Sequence, residues 1–477
     1  MDSPSKLVSD VEKSPASPID SISSKDIVYA VDKAAERRLV RRIDMRILPA
    51  GMIIHLLSFI DRSNIGNAKV LDREQGDSLV QTLQISNEQY LLALMIFIVA
   101  FTIIQTPSNY MLKKCGPSRW MALMMFCWGA MTMLLAAVKN FSGLVAVRFF
   151  LGAFESGLFP GLVYVITFWY RPEERAVRIA LIVACSSLGG AFGGAIAFGI
   201  GKHLNMVRGL EAWRWLFLIE GAPSCLAAIL CALFFPDYPE TEAWLSDGER
   251  ELATQRIKGV ASLGHEKITW PETKATLMDW RLYGHYIAYI SNSVSFSSNS
   301  LFAPTIVAGL GYTGLDAQLF TVPPYAIGFV VTVLVSWIAD RYEVRSLATF
   351  FSMLLAGVSY VVQGALPPDA FVTRYVFLCI ALSFSFACNP TSMSWLTANL
   401  RSTGAATLAI PLCVAFGQLG QIIGVYIYKD SEAPGFPTGH FTNAGFLIEG
   451  AILIMSLRLF YVYKNKRLAS GERQWRL

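Results

Sequence analysis

Two opposite charges interrupt a stretch of chain that is otherwise almost wholly apolar. From about Phe141 to Tyr170 the charged side chains are Arg148 and Glu155, seven positions apart with Gly152 between them. On a helix that spacing is close to two turns, so the three residues share a face. At about 1.5 Å per residue, a run of this length crosses a hydrocarbon layer of about 30 Å. Ionisable groups at such depth are costly and usually face a polar cavity or a partner inside a helix bundle. Burial opposes the charged form of a carboxyl, and a neighbouring guanidinium favours it. A carboxyl under both influences can hold or release a proton according to what binds beside it. That is the chemistry of coupled transport. The same two residues also suit a structural ion pair that holds the bundle together.

A second cation stands in the first apolar run. Ile47 to Ile60 leads into Asp61-Arg62-Ser63-Asn64. Either the helix stops short, or it continues with Asp61 and Arg62 facing a cavity. Counted from Arg46, Arg62 then lies about 24 Å along the helix. Two guanidiniums at similar depth, Arg62 and Arg148, suit an anionic solute, because guanidinium pairs with carboxylate in bidentate fashion. The competing reading makes Asp61 and Arg62 interfacial.

Neutral polar residues supply a second set of candidates. Asn389, Trp395 and Asn399 in and after the tenth apolar run, with Gln418 and Gln421 in the eleventh, can hydrogen-bond a solute or join helix to helix. His55 reads as a hydrogen-bonded packing residue, and Glu220 as a structural partner for a neighbouring Arg. Ser186-Ser-Leu-Gly189-Gly190-Ala-Phe-Gly193-Gly194 has the small-residue spacing of close helix contact, so packing is favoured over binding. Asn140-Phe-Ser142 matches a glycosylation acceptor, but its loop is too short to be reached. The sequence shows no Gly-rich nucleotide loop, metal-ligand cluster or nucleophile constellation, which argues against an enzyme and an ATP-driven pump. No cofactor is expected beyond a proton as coupling ion.

These residues need a membrane scaffold to position them. Of 477 residues, 54% are hydrophobic and 16% charged, with a mean hydropathy of +0.45. Soluble domains carry about a quarter charged residues, so the class is an all-α, polytopic membrane protein. The net charge of +5 is spread over short inter-helix segments, which is not a nucleic-acid signature. Eight cysteines show no CxxC and fall mostly in apolar runs, so they read as packing residues.

Twelve spans are expected near 46–68, 88–110, 119–138, 141–170, 177–201, 213–235, 282–308, 317–339, 346–365, 372–396, 404–428 and 440–463. Residues 1–42 read as a disordered tail, with Ser-Pro pairs at Ser3, Ser14 and Ser17. Basic residues from Lys33 to Arg46, and again after spans two, four and twelve, put both termini in the cytoplasm. No cleavable signal peptide is visible. A hydrophilic linker, 236–279, separates six spans (43–235) from six (280–465), followed by a tail (466–477); it holds a capping-box pattern at Ser246-Asp-Gly-Glu249. Two half-bundles around a central site are the expected architecture.

At this level the chain resembles the major facilitator superfamily, and within it the fungal allantoate/nicotinate/pantothenate permease family of anion:cation symporters. The resemblance covers roughly Arg42 to Arg467. It rests on Ile60-Asp-Arg-Ser-Asn-Ile-Gly-Asn-Ala-Lys69, Thr106-Pro-Ser-Asn-Tyr110, Cys115-Gly-Pro-Ser-Arg-Trp120, the Arg148 to Gly161 stretch, Trp213-Arg-Trp215 and Pro236-Asp-Tyr-Pro-Glu-Thr241. The second half adds Pro304-Thr-Ile, Gly309-Leu-Gly-Tyr312, Val322-Pro-Pro-Tyr325, Ala339-Asp-Arg341 and Ala433-Pro434. The resemblance implies spans one, four, seven and ten around a central cavity, alternating access, and proton-driven uptake of a small carboxylate-bearing or vitamin-like solute. It places Arg62, Arg148 and Glu155 on the cavity side, with Glu155 proton-linked. It also matches Asp340 and Arg341 to a cytoplasmic loop motif that latches the halves. The chain departs from the pattern at Lys113 (generally Asp), Gln105 (commonly Glu), Glu343 (Gly) and Gly190-Ala191, where an antiporter would carry Gly-Pro.

The leading expectation is therefore a plasma-membrane proton symporter, monomeric, importing a small organic anion, with Arg62, Arg148, Asn389 and Gln418 as solute ligands. An exporter of a secondary metabolite or toxic compound is the first alternative. A non-transporting nutrient receptor is the second, and the short tail after Arg467 argues against it.

Overall fold

The structure is a computed structural model that describes residues 33–257, 270–312, 314–400, 403–468 and 474–477. The Ser-Pro pairs lie outside these residues. The regular structure among the described residues is helical throughout. The first group comprises α1 (Lys33–Val70), α2 (Leu79–Thr82), α3 (Asn87–Cys115), α4 (Pro117–Leu135), α5 (Phe141–Glu155), α6 (Leu158–Trp169), α7 (Pro172–Leu204) and α8 (Ala212–Phe234). Two linker helices follow, α9 (Asp247–Ile257) and α10 (Trp270–Leu277). The second group is α11 (Trp280–Gly309), α12 (Gly314–Leu319), α13 (Val322–Arg341), α14 (Arg345–Ala365), α15 (Phe371–Asn399), α16 (Thr403–Tyr426) and α17 (Pro437–Asn465).

Among the described residues, eleven helical spans are long and apolar enough to cross a membrane. The seventh expected span, α11, has the length at 30 residues, but Ser and Asn dilute its apolar character. Each of the twelve expected spans thus has its helix. Two compact units are separated at Met45, Met1–Met45 and Arg46–Leu477, and the bundle belongs to the second.

Two local features differ from the expectation, and one open alternative is decided. The tail expected through residue 42 gives way to helix at Lys33, where Ala34-Ala35-Glu36 favour helix formation. Span one does not stop at Ile60; its helix runs unbroken to Val70 through Asp61 and Arg62. Span four is two helices, broken at Ser156-Gly157 directly after Glu155. Pro160 has no N–H to give the Ser156 carbonyl, so the ladder cannot continue there; the next turn starts with Gly161 N–H donating to Gly157 O at 3.0 Å.

Close backbone approaches hold the bundle together, as expected where lipid removes the hydrophobic drive between helices. A Cβ on Gly152 of α5 would stand 2.3 Å from the Phe97 carbonyl oxygen of α3. One on Gly420 of α16 would stand 2.2 Å from the Ile290 carbonyl of α11. The glycines of span five pack as the sequence indicates, Gly190 against the Tyr325 ring and Gly194 against Thr321. Asn140, the glycosylation match, instead caps α5, accepting from Gly143 N–H at 2.8 Å.

The linker is fastened to the bundle. Ser246 and Glu249 form the expected capping box, with Ser246 N–H donating to Glu249 at 3.0 Å. Arg256 of α9 pairs with Glu174 at the start of α7 at 2.6 Å. Asp237 caps α4, accepting from Ser118 N–H at 2.7 Å and Ser118 Oγ at 2.9 Å.

Replacing Gly152 with Val should force α3 and α5 apart. Overpacking of this kind typically costs about 1–3 kcal/mol, so the unfolding midpoint of the purified protein should fall. Gly199, with open space where a Cβ would stand, is the control: Gly199→Val should leave the midpoint near that of the parent.

Candidate solute site

The charges of spans one and four meet. Glu155 ends α5 and is 3% exposed. Its Oε1 accepts from Ser58 Oγ of α1 at 2.7 Å, while Oε2 has no protein partner. Arg148, 1% exposed, lies two turns earlier, and its Nε and Nη2 are likewise without a hydrogen-bond partner. No ion pair joins the two residues among the described residues. The Phe97 ring lies beside both cations, 5.9 Å from the Arg148 guanidinium and 5.3 Å from that of Arg62. Arg62 and Arg148 both stand within electrostatic range of Glu155. The site is a cluster of two cations, Arg148 buried and Arg62 half-buried, and two buried carboxyls, Glu155 and Asp61, in which donors and acceptors are left open.

Asp61 and Arg62 are adjacent in sequence and serve different neighbours. Asp61 is fully buried, its Oδ2 accepting from Trp128 Nε1 of α4 at 2.8 Å and Ser224 Oγ of α8 at 2.6 Å, while its Oδ1 has no partner and the group lies within electrostatic range of Arg148 and Glu155. Arg62 reaches the second helix group, where its Nη2 donates to Gln421 Oε1 of α16. The interfacial reading of this pair does not hold. Glu220 also departs from expectation. Both its oxygens are buried without a hydrogen-bond partner, and the charged group within its electrostatic range is Asp61, not an Arg.

The neutral candidates divide. Asn389 of α15 accepts from Asn292 Nδ2 of α11 at 2.9 Å, and Gln418, one turn from Gln421, keeps a buried Oε1 without a partner. Gln418 stands three positions before Gln421, the partner of Arg62, on the same face of α16. Trp395 and Asn399 instead bind main chain near residue 476. Asp340 pairs with Arg345 at 2.8 Å, while Arg341 is exposed. Glu343, where the resemblance expected Gly, has φ of 54°, the left-handed region that glycine enters without strain.

Sequence reasoning placed α11 but named no candidate residue in it. Ser291, Asn292, Ser293, Ser295, Ser297, Ser298, Asn299 and Ser300 are all buried. The run was visible as a polar tract inside an expected span. Many of its hydroxyls bond back to carbonyls of their own helix, as Ser293 does to Tyr289 O at 2.7 Å and Ser300 to Phe296 O at 2.7 Å. The small side chains also let α16 approach closely, so packing accounts for much of the tract. Asn292, whose Oδ1 is open, is the member that joins the site.

At the end of the bundle away from the linker, the two helix groups are drawn together. Lys69 at the end of α1 pairs with Asp430 at 3.1 Å and donates to Asn87 at 3.1 Å. Gln318 Nε2 donates to Asn67 O at 3.2 Å. Deeper in, Phe59 meets Phe296 and Phe386 edge-on, with centroids 5.8 and 5.9 Å away. A groove of about 420 Å³, lined by residues including Leu92, Phe149 and Phe150, lies on the exposed side of α3 and α5 and contains none of the candidate residues.

A multi-pass helical bundle with buried charges meeting between its first and fourth spans defines a membrane transporter. A family model described as Major Facilitator Superfamily matches residues 51–425, and the chain belongs to that superfamily. It is similar to MFS transporter prlL of a fungal species (strain NRRL 50135), 49% identical over 440 residues, covering 92% of this chain and 89% of the relative. It is also similar to MFS-type transporter cnsO of Penicillium expansum, 32% identical over 450 residues, covering 92% and 86%. Among solved structures it resembles a bacterial homolog of the human lysosomal transporter Spinster in an inward-facing, unoccupied conformation. That match has TM-score 0.61 at 16% identity and covers 87% of this chain and 96% of that one; it speaks to the fold.

Just beyond α1, outside the spans, burial and then the charge of Asp77 push the Asp72 carboxyl from 3.8 up to about 6. Because the folded-state value lies above the unfolded one, this group favours the fold below about pH 4 and that contribution is lost as pH rises through about 6. Asp72→Asn should therefore raise the unfolding midpoint at pH 7 and leave it nearly unchanged at pH 4. Asn also tolerates the φ of 51° found here. Equal shifts at both pH values would assign the effect to shape rather than charge.

Proposed function

We propose that this transporter is a proton-coupled symporter that moves a small organic anion into the cell. The carrying observation is the buried cluster in which two Arg148 nitrogens and Glu155 Oε2 have no protein partner. A solute carboxylate would meet Arg148 and displace the Gln421 amide from Arg62, since guanidinium and carboxylate pair in bidentate geometry. Asn389 and Gln418 would hydrogen-bond the remainder of the solute. Glu155 would carry the coupled proton: its second oxygen is open, and it sits at a helix break, where irregular backbone in transporters characteristically lines the binding site.

The wider assignment follows the sequence resemblance. We place the chain in the fungal allantoate/nicotinate/pantothenate permease branch, as a monomer in the plasma membrane with both termini in the cytoplasm. The two sets of six spans, 43–235 and 280–465, would rock about the central site, with the Asp340-Arg341 loop latching one state. The open guanidinium donors and the missing antiporter Gly-Pro of span five support import of an anion.

The deciding experiment is uptake of a panel of labelled small carboxylates into proteoliposomes with and without an inward proton gradient. Gradient-driven accumulation supports the proposal. Proton-driven loss of preloaded compounds would replace it with export, and silence in both directions would favour a receptor. Glu155→Gln should retain solute exchange but lose accumulation against a gradient, because an amide cannot cycle a proton; undiminished pH-driven accumulation would remove Glu155 from coupling.

Arg62→Ala should weaken carboxylate-bearing solutes far more than neutral analogues, as measured by competition for uptake. Equal weakening of both would mark Arg62 as structural.

A further inference from the structure

Beyond the solute site, the irregular segment Gln474–Leu477 on the linker side is bonded to the ends of two helices. Segments without regular structure usually run over the surface with few fixed contacts. This one is gripped at several points. Asn399, the last residue of α15, donates Nδ2 to Arg476 O at 3.0 Å and accepts from Arg476 N–H at 2.9 Å. Asn465, the last residue of α17, does the same for Trp475, at 2.8 Å in each direction. Trp395 Nε1 is a second donor to Arg476 O, at 3.0 Å. The side-chain amides thus act as short stretches of strand partner, each on the end of a different helix.

The side chains extend the grip. The Trp475 ring is 8% exposed and stacks on Tyr461 of α17, with centroids 5.2 Å apart and planes 6° from parallel. The Arg281 guanidinium of α11 lies 4.2 Å from the Trp475 ring centre. Leu477 packs on the cluster that contains Met353, Trp395, Ile454 and Tyr461. Arg476 pairs with Glu343 at 3.0 Å; both side chains are exposed, so that contact contributes little stability. It does reach the turn that follows Asp340 and Arg341 at the end of α13.

We propose that Gln474–Leu477 is a strap that fixes the linker-side ends of α11, α15 and α17 to one another, and that this end of the bundle opens only when the strap lifts. Next to the strap contacts, Leu282, Tyr286, Met393, Leu396 and Cys413 form a buried apolar cluster against which Phe159 of α6 packs. That cluster joins the second helix group to the first. Arg281 and Trp395 are sequence neighbours of its members, so holding them in place holds the seal. The consequence for a transport cycle rests on the transporter reading above, but the test needs neither solute nor transport.

Cys413 is 2% exposed inside the seal, whereas Cys115 is exposed. The test measures the rate at which a polar maleimide labels each cysteine of the purified full chain, resolved by peptide mass spectrometry. In the parent protein Cys115 should react fast and Cys413 slowly. Trp475→Ala and Asn465→Ala should each raise the Cys413 rate several-fold without changing that of Cys115. Trp475→Phe, which keeps a ring on Tyr461, should retain the slow rate. An unchanged Cys413 rate in either folded variant overturns the strap. A parallel rise at Cys185 and Cys231, buried in the first helix group, overturns it too, because that pattern is general loosening. Should Trp475→Ala fail to fold, Asn465→Ala decides alone, since it removes only the two bonds to the Trp475 main chain.

Discussion

A guanidinium buried beside a carboxyl it does not touch is the constraint around which this bundle is arranged. Taking two charges out of water is expensive, and a direct contact would be the ordinary compensation. Here Arg148 and Glu155 stay apart on one helix face, with Gly152 between them pressed against the Phe97 carbonyl. Phe97 then presents its ring to Arg148 and to Arg62, a softer compensation by the π face. Ser58 satisfies one carboxyl oxygen. The bundle therefore keeps polar capacity in its interior, and only close packing of α1, α3 and α5 can hold it there.

The same packing explains why so much of the architecture was legible. Helical spans, the capping box at Ser246 and the small-residue face of span five all follow from local pattern, which a sequence displays directly. The pairing of Arg62 with Arg148 was also visible, because type and depth suffice to suggest it. Other features depend on what lies across a helix contact. Nothing in the Asp61-Arg62 dipeptide says that one residue turns to Trp128 and Ser224 while the next crosses to Gln421. Asn399 and Asn389 look alike in sequence, yet one grips main chain and the other faces the interior. The break after Glu155 was written in Gly157 and Pro160, but an apolar run of this length reads as one helix until the missing N–H is counted.

The two ends of the bundle are closed by different means. Away from the linker the closure is polar: an ion pair at Lys69 and Asp430, and an amide at Gln318. Toward the linker it is apolar, with Phe159 set against the cluster around Cys413. Polar closures are directional and exchange readily with water; apolar ones depend on area and yield only when surfaces part. The two closures therefore answer to different influences, ionic strength at one end and helix position at the other.

Gln421 has a consequence of its own. By donating to its amide oxygen, Arg62 already has an occupant of the protein's own making. Any anion that arrives must evict that amide before it gains the guanidinium, so its net gain is the difference between two bonds rather than the whole of one. If the solute is the anion proposed above, the amide would return when it leaves, and the cation would not be left bare. A carrier needs its cargo to let go as much as to hold on, and a resident substitute keeps both steps shallow.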